Sequence, residues 1–116
     1  MVNLMTFRNL FAVALLGLGI SLTAQGDVVS RAYEVALSDF NAPATENGGV
    51  TFKPCSTCER QLVRVTGSTR YTVNGKAVRF DDFRKAVTRV RNRDDATVIV
   101  LHHLESDTVV SIDVSI

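Results

Sequence analysis

Hydrophobic and polar positions change their period several times along this chain, and each change marks an element. Leu10 to Leu22 is an apolar run of thirteen residues. From Asp27 to Phe40 two spacings compete. Val29, Tyr33, Ala36, Leu37 and Phe40 fit a helical face, whereas Tyr33, Val35 and Leu37 alternate with polar neighbours. The alternation favours a strand over Arg31 to Leu37. Asn41 to Gly49, with Pro43, Asn47, Gly48 and Gly49, reads as a loop. Val50 to Pro54 and Gln61 to Thr66 read as strands on either side of Cys55-Ser56-Thr57-Cys58, and Gly67-Ser68 ends the second.

Arg70 to Val73 and Lys76 to Arg79 flank Asn74-Gly75. A two-residue type I′ turn needs positive φ at both central positions, which this dipeptide tolerates, so a hairpin is predicted. Phe80, Phe83, Val87 and Val90 then recur at helical intervals with Ala86 beside them. That single stripe predicts an amphipathic helix over about 81–92. Asp81 and Asp82 suit its positive N-terminal end, and Arg89, Arg91 and Arg93 its negative C-terminal end. Thr97 to Leu104 is apolar and β-branched, which predicts a strand buried on both faces. Thr108 to Ile116 alternates Val110, Ile112, Val114 and Ile116 with Ser111, Asp113 and Ser115, a half-buried strand returning after the turn Glu105-Ser106-Asp107. Sheet and helix each need a partner for one apolar face. The expected fold is α+β: a small antiparallel β-sheet or partly open barrel with the one helix packed on it.

The N-terminal pattern changes the domain count. Arg8, the short apolar run and the small residues Thr23-Ala24-Gln25-Gly26 have the layout of a cleaved signal peptide over residues 1–26. The run falls short of the roughly 18–20 residues that a membrane span requires. No cysteine near the expected cut offers a lipid acceptor. Residues 27–116 then form a single small exported domain, periplasmic in location, with no stable membrane span after processing. It is small enough for its core alone to leave it marginally stable.

Charge is unevenly placed. Between Arg60 and Arg93 ten basic residues face only Asp81 and Asp82, whereas the stretch from Asp94 onward has five acids and no base. One explanation is that the acidic flanks fold back against the basic middle. The other is a basic face, Arg84, Lys85, Arg89 and Arg91, for an anionic partner such as lipid headgroups or a cell-wall polymer. Nucleic acid is not expected, since an exported protein seldom meets it and no aromatic-interleaved basic motif is present.

Cys55 and Cys58 are the only cysteines. Four readings stand: a local disulfide, which an oxidising compartment favours; a working thiol-redox pair; half of a metal site completed by His102 or His103; or two free thiols. A reactive thiol usually sits at a helix N-terminus, and these lie between strand-like runs. Glu59 stands where haem attachment would need histidine. On a strand His102 and His103 point to opposite faces, so only one could join a metal. No nucleophile motif, phosphate loop or paired-carboxylate arrangement is present, and no catalytic residue or cofactor is predicted.

The segment Tyr71-Thr72-Val73-Asn74-Gly75-Lys76-Ala77-Val78, the helix from Asp81 and the strand Thr97 to Leu101 together resemble the strand–turn–strand–helix–strand order of periplasmic domains in the ExbD/TolR family. The whole layout is also similar to small exported proteins of Gram-negative bacteria. These resemblances imply a location and a fold class, and no activity. The expected function is a non-catalytic accessory or interaction domain of the cell envelope, binding an envelope protein or an anionic envelope component. The alternative is a periplasmic thiol-redox or metal-handling protein using the cysteine pair.

Overall fold

The computed structural model describes residues 29–116, and the expected export segment, residues 1–26, lies outside them. The chain from Ser30 alternates as a strand, β1 (Ser30–Ala36), with Val35 buried and Arg31, Ala32 and Glu34 exposed. The competing helical spacing loses because β1 gains a full antiparallel ladder against β7 (Thr97–His103), from Ser30 opposite His103 to Ala36 opposite Thr97. A 3-10 turn, Leu37–Asp39, buries Leu37 and leads into the short β2 (Phe40–Asn41). β3 (Gly49–Phe52) pairs with both β2 and β4 (Gln61–Arg64). β5 (Arg70–Val73) and β6 (Lys76–Val78) form the expected hairpin, with Asn74 at φ 53° and Gly75 at φ 83°. Helix α1 (Phe80–Arg89) follows, then a 3-10 turn at Arg93–Asp95, β7, and β8 (Thr108–Ser115).

The fold is α+β and mostly β, but the sheet is mixed, not antiparallel as expected. β4 and β5 both run parallel to β8 along the same edge. Parallel neighbours need a crossover, and β6, α1 and β7 supply it between β5 and β8. β4 touches β8 only at Arg64 opposite Thr108, whereas β5 pairs from Arg70 opposite Ser111 to Val73 opposite Val114. Between them the chain leaves the ladder, and the buried Thr69 hydroxyl fills the gap. It donates to the Val109 carbonyl at 2.7 Å and accepts from the Thr66 amide at 3.0 Å. On β8 the same place carries a bulge at Val110, where the register against β7 shifts. Val109, Ile112 and Val114 are therefore the buried positions of β8, and Ile116 is 54% exposed. The simple alternation therefore breaks at Val110, while Ile116 stays in phase with Ile112 and Val114 but lies past the last paired residue, Ser115.

The sheet curls without closing into a barrel. No ladder joins β1 to β2 at its two ends, yet the ring of Tyr33 on β1 lies 5.0 Å from that of Phe52 on β3. Inside the curl lie Leu37, Phe40, Val50, Phe52, Val63, Val65, Val98, Val100 and Ile112. Helix α1 adds Phe83 and Val87, and Tyr71 on β5 packs against Phe83 at 4.8 Å and Phe80 at 5.5 Å. β7 buries only one face: Val98 and Val100 point inward, while Ile99 on the other face is 39% exposed. The expectation of two buried faces for this strand is corrected, because the helix covers one side of the sheet. The helix also ends at Arg89, short of 92, where the Arg93 guanidinium donates to the Val87 carbonyl at 3.0 Å. That bond satisfies one of the last-turn carbonyls that a helix leaves unpaired. Among the described residues, no helix is long and apolar enough to cross a membrane.

Candidate functional site

The cysteine turn tops the hairpin of β3 and β4. The sulfurs of Cys55 and Cys58 are at bonding distance, their Cα atoms lie 5.0 Å apart, and the Cys58 amide donates to the Cys55 carbonyl at 3.1 Å. The Thr57 hydroxyl lies 3.6 Å from the Cys55 sulfur. The legs of the loop are tied to the preceding 3-10 turn: the Lys53 amide donates to the Asp39 carbonyl at 3.1 Å, and Arg60 reaches the same oxygen at 3.5 Å. Strands and not a helix terminus flank the pair, so no helix dipole acts on either sulfur. The closed loop is short, and in the chain-entropy model it constrains the unfolded state by about 2 kcal/mol. Replacing both residues, Cys55→Ser with Cys58→Ser, is expected to lower the unfolding free energy by about that amount in urea titration. An unchanged midpoint would show that the bond constrains nothing.

His102 and His103 do not meet the cysteines. No group of three or more His, Cys, Asp or Glu side chains among the described residues converges as a metal site. The histidines instead organise the turn between β7 and β8. The Nε2 of His102 lies 2.7 Å from Asp107 Oδ1, which forms the one ion pair among the described residues when the ring is protonated. An ionised carboxylate only accepts, so Nε2 carries the proton in that bond. The Nδ1 of the same ring is buried without a partner. On the opposite face, His103 Nδ1 accepts from the Ser106 amide at 3.3 Å and lies 3.0 Å from its hydroxyl, which reaches Thr108 at 2.7 Å.

A serine, an aspartate and two histidines thus share one hairpin end, but acid and hydroxyl engage different imidazoles. A catalytic triad needs one ring to bridge both. In the sequence Ser106 and Asp107 stand out only as turn residues. Their partners depend on the register set by the Val110 bulge and on Asp107 adopting φ 56°.

A second feature, which no local sequence pattern signals, is an open cleft of about 580 Å³ beside the N-terminus of α1. The Tyr71 hydroxyl is buried there without a partner. Burial, and then the nearby Glu46 carboxylate, push this phenol up to about 12. Arg70 and Arg79 on the rim are offset by Glu46, Asp81 and Asp113. The Thr72 hydroxyl already occupies the Asp113 carboxylate. Charges of both signs therefore share the rim, and no one ligand charge is selected.

The basic residues named from the sequence, Arg84, Lys85, Arg89 and Arg91, are all exposed. Arg84, Lys85 and Arg89 are exposed on α1 and line a shallow depression with Asp81 and Thr88, in which Asp81 and Lys85, Arg84 and Thr88, and Lys85 and Arg89 are surface neighbours four apart. A neighbouring depression shares Arg89 and adds exposed Arg91 with Val90, Ala96 and Ile116. Asp81 and Asp95 line these depressions beside the cations without reaching ion-pair distance. Among the described residues no lysine or arginine lies within 4.0 Å of a carboxylate, the ion-pair distance that defines the His102 contact. The Arg84 guanidinium reaches only the Ala44 carbonyl, at 3.4 Å, and the Thr88 hydroxyl turns back to the Arg84 carbonyl at 2.7 Å. The local sequence explains the arrangement: the apolar stripe turns Phe83 and Val87 inward and leaves the intervening basic positions on the outer face. Compared with family models, with curated proteins and with solved structures, the chain matches none.

Proposed function

We propose that the protein is a non-catalytic, exported accessory domain of the cell envelope that docks through the outer face of α1, with Arg91 just past its end, onto an anionic envelope component. The observation that carries this reading is the set Arg84, Lys85, Arg89 and Arg91, exposed together and left without carboxylate partners. Cations paired within the fold would have little potential to offer a partner. Unpaired and grouped, they sum into a local positive field that steers and holds an anion. The signal-peptide layout of residues 1–26 and the expected periplasmic location support an envelope partner.

A polyphosphate-coated resin tests this reading. The wild-type chain is expected to be retained at low ionic strength and released as salt shortens the Debye length below about 10 Å. Changing Arg84, Lys85, Arg89 and Arg91 together to Gln should abolish retention. A control that removes the same charge from exposed positions elsewhere (Arg31, Arg60, Arg64 and Lys76 to Gln) should retain most of it. Equal losses in the two variants would mean that net charge alone binds and that no docking face exists.

A second reading, thiol exchange, is favoured by the exposure of Cys55 at the tip of its loop. It requires a reduction potential near that of known thiol oxidants, whereas a structural bond lies below about −300 mV. Equilibration with glutathione buffers separates the two.

A further inference from the structure

We infer that the open cleft beside the N-terminus of α1 is a saccharide site, which takes a neutral sugar ring with its hydroxyls on the charged rim and the Tyr71 phenol and its C–H face against Phe80. The site is separate from the basic face, apart from Asp81, which lines both depressions. The cleft measures about 580 Å³, within the roughly 300–1,000 Å³ usual for small-ligand sites. Tyr71, which lines it, is 5% exposed, and its hydroxyl finds no partner. The ring is held by Phe83 at 4.8 Å and Phe80 at 5.5 Å, so the hydroxyl is fixed in place. A buried polar group left unbonded costs stability until something bonds to it. This one lies beside a cavity wide enough to admit a ligand.

The rim decides the class of ligand. Arg70 and Arg79 offer donors, and Glu46, Asp81 and the second oxygen of Asp113 offer acceptors. Among the described residues neither arginine has a carboxylate at ion-pair distance. A ligand charge of either sign would meet its own sign on this rim. A sugar hydroxyl both donates and accepts, so a neutral polyol satisfies guanidinium and carboxylate groups together without carrying charge. The phenol suits the same partner. Burial, and then the Glu46 carboxylate, push its pKa up to about 12, so it stays protonated and donates to a ligand oxygen. Half-buried Val78 and Phe80 supply the apolar wall that small-ligand sites combine with a few polar groups. Glu46, Arg70 and Arg79 are long and exposed, free to swing aside as a ligand reaches the hydroxyl.

Titration of the full chain with glucose, galactose and mannose, followed by NMR at the Tyr71 and Phe80 rings, tests the inference. Glucuronate and glucosamine serve as the anionic and cationic counterparts. At least one neutral hexose is expected to shift both rings to saturation, and glucose to bind more tightly than either charged sugar. Maltotriose, a neutral glucan, separates the two sources of such a ring: tighter binding than glucose points to a glycan chain, equal binding to a free sugar. Tyr71→Phe keeps the ring packing and removes one hydroxyl, so hexose affinity should fall roughly five-fold. Stability of that variant in urea should hold or rise, because an unpartnered polar group has gone. Arg79→Ala, on the exposed rim, should lower hexose affinity about ten-fold or more.

No saturable shift at either ring with any neutral sugar overturns the assignment. Unchanged hexose affinity in Tyr71→Phe does so too, and lowered stability alongside it would mean that the hydroxyl serves the fold, bonded to water or to Glu46. Tighter binding of glucuronate or glucosamine than of glucose would make the cleft a site for charge and not for hydroxyls. The quadruple Gln variant of the basic face should bind hexose as the wild-type chain does, so the docking reading can fail while this site stands. Loss of hexose binding in that variant would move the ligand onto α1 and sink the saccharide cleft.

Discussion

Phe83→Ala is expected to lower the unfolding free energy by about 3–5 kcal/mol, as truncations of fully buried aromatic residues do. Phe83 is completely buried, and its ring packs on Tyr71 at 4.8 Å, so removing it opens a cavity between α1 and β5. The helix has no side-chain cap at Arg79, and ten residues in isolation are too few to hold a helix in water. The Phe83–Val87 stripe is therefore what keeps α1 on the sheet. Arg84→Ala, one position away on the exposed side, should change stability by no more than about 0.5 kcal/mol. Its 3.4 Å contact to the Ala44 carbonyl is solvent-exposed. Urea titration of both variants decides the matter. Equal small losses would mean that the helix presents the other face to the core, and the basic site would then be turned inward with it.

The helix face was legible because several agreeing residues report it. Phe80, Phe83, Val87 and Val90 each repeat the same period, and the charged ends reinforce the direction. The Asn74-Gly75 hairpin was legible for a different reason: a local backbone requirement, positive φ twice in succession, leaves few residue types that fit. Both signals lie within about a dozen residues of chain.

What the sequence did not disclose is non-local. Nothing in Arg70 to Val73 announces a parallel ladder with Ser111 to Val114, forty residues away, since an apolar–polar alternation pairs equally well in either direction. The split between β4 and β5 turns on one hydroxyl, Thr69, whose two bonds exist only when Val109 and Thr66 are brought to it. The Val110 bulge likewise puts Val109, and not Val110, in the buried series with Ile112 and Val114. The fate of the acidic flanks was also beyond the sequence. Uneven charge along a chain predicts attraction, but the sheet's register decides which side chains come within reach. The flanking acids meet no lysine or arginine at contact distance.

Phe52→Ala is expected to cost about as much as the helix truncation, roughly 3–5 kcal/mol, and it probes a different feature, the curl of the sheet. Phe52 is fully buried on β3, two strands from β8, and its ring meets Tyr33, which belongs to the strand at the far end of the sheet. No hydrogen-bond ladder joins those two ends; the turn Leu37–Asp39 links them through the chain, and the Tyr33–Phe52 contact packs them together across the interior. Shortening Phe52 removes that contact and leaves Tyr33 facing a void, which should also show as greater solvent access at the Tyr33 ring by NMR.

The comparison residue is Leu62 on the adjacent strand, also large and apolar but 69% exposed. Leu62 lies over Gly49 on the outer side, where a Cβ on the glycine would come within 2.7 Å of its methyl. Its neighbour Val63 points into the core opposite Val50. Two adjacent apolar residues could each have taken the inner position, and a one-residue slip would exchange them. Leu62→Ala should therefore stay within about 0.5 kcal/mol, while Val63→Ala should be clearly destabilising. A large loss at Leu62 with little at Val63 would mean that β3 and β4 pair one residue out of the register described. The inward placement of Phe52 would fall with that register.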